Sequence, residues 1–385
     1  MDMTRSKGSW LMVGFRLLKK DHALRIASTF VLCGMLLVSG VQAEGTADSL
    51  AGLRKIQPGN ESDQQAAAKT LRQLSSSNLD LLDVLRAMKG ATPLGKNWLI
   101  GLANTLHRKS GATSQDKLSA FLADSSQDPE ARYTVFRWLT DGNDDLRAQL
   151  LDTMLEDTSL ELRFDALAQA IKKSEGADEK QWRRLLDSSR HPSQTAETIE
   201  KLKGLKVEVD MASHMGFVKT WKLIGPFDNV GSDKFSVVYD VEPDWVAGKL
   251  KDSYAGKNGQ STWIEHTTDN SEGQVDLAKL FNNEKGCVVY ATAVIRSASA
   301  VPCEVRVGCI NAQKVWVNGV EVISNEVYHT GMQIDQYSAP ITLKQGENRI
   351  LVKICQNEQK EAWAQLYSFQ LRLCDETGKA IALAQ

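Results

Sequence analysis

Asp228, Asp233, Asp240, Glu242 and Asp244 crowd one stretch of the chain, and Trp245, Tyr254 and Trp263 follow close behind. Hard cations take carboxylate and carbonyl oxygens, so the acids could hold a structural calcium ion, or they could serve a sugar site. The rings could stack on the apolar face of a sugar. The acids lack the regular alternation of a calcium loop, which leaves a solvated loop as the plainer reading. Tryptophan is mostly buried in folded domains, and Trp221, Trp316 and Trp363 are expected in the core.

Other chemistry is sparse. The chain has no Gly-x-Ser-x-Gly elbow, no His-Glu-x-x-His helix, no phosphate-binding glycine loop and no Cys-x-x-Cys-His haem attachment. Its six histidines are scattered, so no spacing suggests converging metal ligands. A net charge of −2 argues against nucleic acid as a partner, because a protein that binds phosphates needs a basic face. Five cysteines, Cys287, Cys303, Cys309, Cys355 and Cys374, lie near the carboxy terminus. Cys303, Val305, Val307 and Cys309 share one face of a strand pattern, which favours buried free thiols over disulfides.

The elements that would position these residues fall into two regimes. From about Gln64 to Lys203 the chain is rich in Leu, Ala, Arg, Asp and Gln, and apolar residues three or four apart predict helices over Asp63 to Leu74, Asn78 to Lys89, Asn97 to His107 and Gln115 to Ala123. Asp128-Pro129-Glu130-Ala131-Arg132, Asp144-Asp145-Leu146-Arg147 and Ser159-Leu160-Glu161-Leu162-Arg163 each open a further helix. Successive helices of this kind can stack as an α-solenoid, burying each other's apolar faces. The pattern, with Arg147 to Leu155 as its clearest run, resembles HEAT-type repeats. An ordinary helical bundle is the alternative.

The second regime is β. A strand from Val218 is expected to stop at Gly225-Pro226. Further strands are expected at Thr262 to His266, Cys287 to Arg296, Cys303 to Ile310, Val315 to Val317, Val320 to Ile323, Asn348 to Ile354 and Gln365 to Leu373. Asn318-Gly319 between β-formers marks a two-residue hairpin, because both central positions of a type I′ turn need positive φ. Alternation along Val289 to Arg296 calls for a second sheet on at least one face.

The segment Trp221 to Asn229, the run Tyr254 to Gly259 with Trp263, Val275-Asp276-Leu277, Val315 to Gly319 and Leu343 to Lys353 together resemble the galactose-binding-like jelly rolls of secreted bacterial proteins and glycosidases. That resemblance implies a carbohydrate-binding type of fold, with a structural calcium in many members. The expected fold class is therefore a multidomain α and β protein: a helical, solenoid-like repeat domain followed by an antiparallel β-sandwich.

Residues 1–43 read as a secretory signal. Basic residues precede an uncharged stretch from Ile26 to Ala43 that ends in Val41-Gln42-Ala43, which signal peptidase accepts. An uncleaved membrane anchor is the alternative, since the stretch approaches the roughly 20 residues that span a bilayer. The expected division is signal 1–43, linker 44–62, helical repeats 63–204, linker 205–216, jelly roll 217–376 and tail 377–385. The functional expectation is a secreted or periplasmic, non-catalytic protein. Its jelly roll would take a glycan or cell-envelope component, and its helices would dock a protein or act as a spacer. A structural protein without a small ligand and a divergent glycan-active enzyme are the alternatives.

Overall fold

The structure, a computed structural model, describes residues 47–384 apart from 58, 60, 78, 111 and 112. The expected signal segment lies outside the described residues. Two regions follow one another, a helical array and a sheet-rich part.

Short polar side chains start the helices. Asp80, Ser114, Asp128, Asn143, Ser159 and Asp178 each accept a backbone N–H from the first turn that follows, satisfying donors that a helix start otherwise leaves unpaired. The helices so opened are Leu81–Arg86, Gln115–Ala123, Pro129–Leu139, Asp144–Leu151, Leu160–Lys173 and Glu179–Ser188. Glu61–Ser76, Pro93–Ser110 and Pro192–Gly204 complete the main array. Residues 47–54, read as linker, are also helical, and Leu50 and Leu53 join the array's core.

The three repeat arginines divide into two kinds. Arg132 is buried, donates through both Nη atoms to Asp157 at 2.6 and 2.7 Å, and donates through Nε to the Leu122 carbonyl at 2.8 Å. Arg163 repeats the scheme against the Asp157 and Ser188 carbonyls. Arg147 instead lies nearer the surface, paired with Asp165 and stacked over Phe136. Helix pairs begin at Asp128 and again at Ser159.

The sheet-rich part holds strands β1 (Thr220–Asp228), β2 (Ser253–Gly256), β3 (Gly259–Thr262), β4 (Ile264–Thr267), β5 (Val275–Asp276), β6 (Cys287–Ser297), β7 (Val301–Cys309), β8 (Ala312–Val317), β9 (Val320–Asn325), β10 (Tyr337–Leu343), β11 (Gly346–Gln356), β12 (Ser368–Cys374) and β13 (Leu383–Ala384). One antiparallel sheet runs β4-β1-β6-β11-β8-β9, with β13 beside β6; a second runs β10-β7-β12-β5; β2 and β3 form a separate ribbon. The two larger sheets share one apolar core, to which β6 gives Val289, Ala291, Ala293 and Ile295, and β12 gives Phe369, Leu371 and Leu373.

Strand β1 does not stop at Gly225-Pro226 as expected. It passes through them, and its register against β6 shifts between Ile224 and Phe227. Pro226 cannot donate to a ladder, and an irregularity is where a sheet tolerates that. Strand β10, which the sequence expectations do not include, carries Pro340 and lies at a sheet edge, where proline is permitted. The Asn318-Gly319 turn has φ of 52° and 89°, and Val317 pairs with Val320 across it. All five described cysteines are buried free thiols.

Candidate functional site

The segment between β1 and β4 forms a strap across the outer face of the larger sheet. Phe235, Val241, Trp245 and Tyr254 pack there against Phe227, Tyr290, Trp316 and Leu351. Lys353 crosses this layer with its ammonium bonded to the Val237 carbonyl and 3.2 Å from Glu242. Tyr290 donates to the same Glu242 oxygen at 2.5 Å. Burial, with the Glu242 charge beside it, pushes the Tyr290 hydroxyl well above the usual tyrosine range, so it stays a donor.

This strap changes the meaning of the acidic and aromatic residues singled out in the sequence. Trp245 is 1% exposed and donates its indole N–H to Thr292 Oγ1 at 2.9 Å. Tyr254 is also buried and shares its hydroxyl with Asp244 and the Lys251 N–H. Trp263 is half-buried and donates to the Lys251 carbonyl. Neither Trp245 nor Tyr254 offers an open ring face.

The five acids do not converge as a calcium site would require. Asp228 accepts from the Val230 N–H, Asp233 pairs with Lys234, Asp240 and Asp244 approach Lys251, and Glu242 takes Lys353 and Tyr290. Side-chain ammonium groups pair with four of the five, Asp233, Asp240, Glu242 and Asp244. Among the described residues no group of three or more His, Cys, Asp and Glu could hold a metal ion. None of the described helices is long and apolar enough to cross a membrane.

A different ring is open. Trp363, expected in the core, is instead 59% exposed on a short helical turn, Ala362–Ala364. The reason is topological. The connection from β11 to β12 must turn back at the end of the sandwich, and Trp363 lies on the turn outside both sheets. The antiparallel register gathers the connections after β1, before β6, between β9 and β10 and between β11 and β12 at this same end.

His329, in the left-handed region at φ 58°, presents its ring to Trp363 nearly at right angles, with centroids 5.0 Å apart. Its Nε2 lies 2.8 Å from Asn357 Oδ1, and the Asn357 amide N–H donates to Gln359 Oε1. Asn357 Oδ1 also accepts the Gln359 backbone N–H. The His329 Nδ1 is buried without a partner.

Deeper, Asn229 ties three connections together through the Gln356 carbonyl, Tyr328 and the Lys234 N–H. Burial pushes the Tyr328 hydroxyl up to about 12. Glu358 accepts from the Gly231 N–H and Ser232 Oγ, which hold its carboxyl below the usual range. Leu366 and Val327 are exposed beside these groups in the chain. The result is a braced end with one open indole and several amide groups around it.

No protein-family model matches the chain. No curated protein matches it either. Among solved structures, a β-glucuronidase of an uncultured Clostridium species has 14% identity and a TM-score of 0.25, covering 42% of this chain and 29% of its own. A β-glucosidase from Kluyveromyces marxianus has 10% identity and a TM-score of 0.27, covering 85% and 37%. The GH31 α-xylosidase of Xanthomonas citri has 12% identity and a TM-score of 0.19, covering 29% and 14%. This chain therefore spans well under half the length of each. At such scores the likenesses carry no argument about this protein.

Proposed function

We propose that this protein is an exported, non-catalytic binder that takes a glycan at the Trp363 end of a galactose-binding-like jelly roll, with the helical array as a spacer or protein-docking module. The observation that carries the reading is the Trp363 indole, open to solvent yet braced by His329. A sugar's C–H face stacks on such a ring, and its hydroxyls need donors and acceptors nearby. Asn357, Gln359 and Gln365 supply these around the same turn. Glu358 is engaged by the Gly231 and Ser232 groups, which suits a binding site better than a pair of catalytic carboxylates.

The test is a glycan array and polysaccharide pull-down with the full chain and with Trp363→Ala, each checked by thermal melting. Trp363 is exposed, so the variant should melt like the parent while its glycan binding falls about tenfold or more, equivalent to about 1.4 kcal/mol. Binding that survives Trp363→Ala, or no glycan bound by a well-folded chain, overturns the proposal. Binding should also persist on calcium chelation, since four of the five acids pair with lysines and Asp228 caps a backbone N–H.

A further inference from the structure

A cleft of about 1000 Å³ opens between helices Leu160–Lys173 and Pro192–Gly204 on one side and the connections around the smaller sheet on the other. Its charged groups are nearly all satisfied. Arg163 pairs with Glu156, Asp165 with Arg147, and Arg306 with Glu304 and Asp335. Glu161 accepts from Ser159 Oγ.

Arg190 differs. Its Nη1 donates to the backbone carbonyls of Asp187 and Ser189, and Nε is buried with no acceptor. Among the described residues no carboxylate lies within ion-pairing distance of it. The guanidinium lines the cleft with no carboxylate bonded to it, and Asp375, Glu156 and Asp187 act on it only from farther away. His191 and Ser193 follow Arg190 at the start of the 13-residue helix Pro192–Gly204, whose N-terminal dipole also favours an anion. Phe164 and Leu160 expose apolar surface to the same cleft, and His191 meets the Phe164 ring edge-on at 5.1 Å.

We infer that the cleft is a second ligand site, which takes a singly charged carboxylate with an apolar body, the carboxylate on Arg190 and the body on Phe164 and Leu160. A single charge is favoured over a dianion such as phosphate because Glu272 stands on the opposite wall and Asp375, Glu156 and Asp187 already act on Arg190. With Nη1 engaged and Nε buried, a carboxylate meets the guanidinium through a charge-assisted hydrogen bond that a neutral amide makes more weakly.

The probes are 3-phenylpropionate and its neutral amide, titrated against the full chain by calorimetry and by ligand-detected NMR. The carboxylate should bind at least ten times tighter than the amide, and added salt should shrink the difference. Arg190→Met should erase the preference, Arg190→Lys should keep part of it, and Trp363→Ala should leave it unchanged. Equal binding of the two probes overturns the inference. So does a preference that persists in Arg190→Met, or absence of saturable carboxylate binding below roughly 10 mM. If Arg190→Met does not fold, the parent's preference and the lysine variant decide. A preference lost in Trp363→Ala would place the carboxylate at the other end of the molecule and also overturn it.

Discussion

The helical array and the paired sheets both bury cationic side chains, yet the two regions use them over different lengths of chain. Arg132 reaches Leu122 and Asp157, 10 and 25 residues away. In the sheets Lys353 reaches the Val237 carbonyl across 116 residues, and Arg372 reaches the Met215 carbonyl across 157. Arrays in which neighbours touch neighbours behave almost as one-dimensional stacks. The sheets close long loops before any contact rewards them. Damage should therefore stay local in the array and spread through the sheets.

The largest effect is expected at Asp335, which joins Arg372, 1% exposed, to Arg306. Asp335→Asn leaves a buried guanidinium without its counter-charge and should cost about 4 kcal/mol in denaturant unfolding, lowering the stability of every strand amide together. The pH dependence sharpens this. Burial raises the Asp335 carboxyl, but Arg372 and Arg306 outweigh it and hold the group below its ordinary value of 3.8. A depressed folded value means the contribution is full above about pH 4 and disappears as pH falls through the folded pKa. Parent and variant should converge in acid. Parallel curves from neutral pH down to acid would remove the ion cluster from the account.

Arg132→Met should cost somewhat less, about 3 kcal/mol, because the abandoned Asp157 is partly exposed and can rehydrate. Hydrogen exchange should speed up between Gln115 and Lys173 and stay unchanged in β6 and β11. Uniform acceleration would mean the two regions unfold as one, and the contrast drawn above would fail.

The smallest change is at the hairpin. Asn318 supports its left-handed backbone and also bonds Asn348 and the Arg349 N–H. Asn318→Ala should cost about 1–2 kcal/mol through the lost hydrogen bonds and the φ of 52°. Asn318→Gly relieves the backbone and should recover part of that loss, measured by the same denaturant midpoint.

What could be read in the chain was what depends on neighbours. Ser159 and Asp128 cap helices because a short side chain meets a backbone N–H two or three residues on. Asn318-Gly319 turns because of its own φ preferences. Cys303, Val305, Val307 and Cys309 fall on every second position, and the core side follows from that period. Strand β10 is not legible in this way, since Pro340 is a local breaker whose tolerance depends on lying at an edge. Val230, Val237 and Val238 gave no warning that the segment between them folds as a strap.

The site shows the same division. Composition named aromatic rings and acids as the groups to watch, since only such side chains stack on sugars or hold hard cations. It could not say which ring is open, because Trp245 and Trp363 have the same chemistry and differ only in whether the strap or solvent lies over them. The acids were legible as charges, whereas their pairing with Lys251 and Lys353 depends on which strand faces which.

By itself the sequence determined a helical array followed by a β-rich part, the helix starts, the hairpin and the faces of the central strands, all consequences of spacing along the backbone. Only the tertiary structure decided the strap over the larger sheet, the exposure of Trp363, the engagement of the five acids and the unpaired Arg190 in the cleft. Burial and charge pairing are properties of neighbours in space, and the antiparallel register sets those neighbours a hundred residues apart.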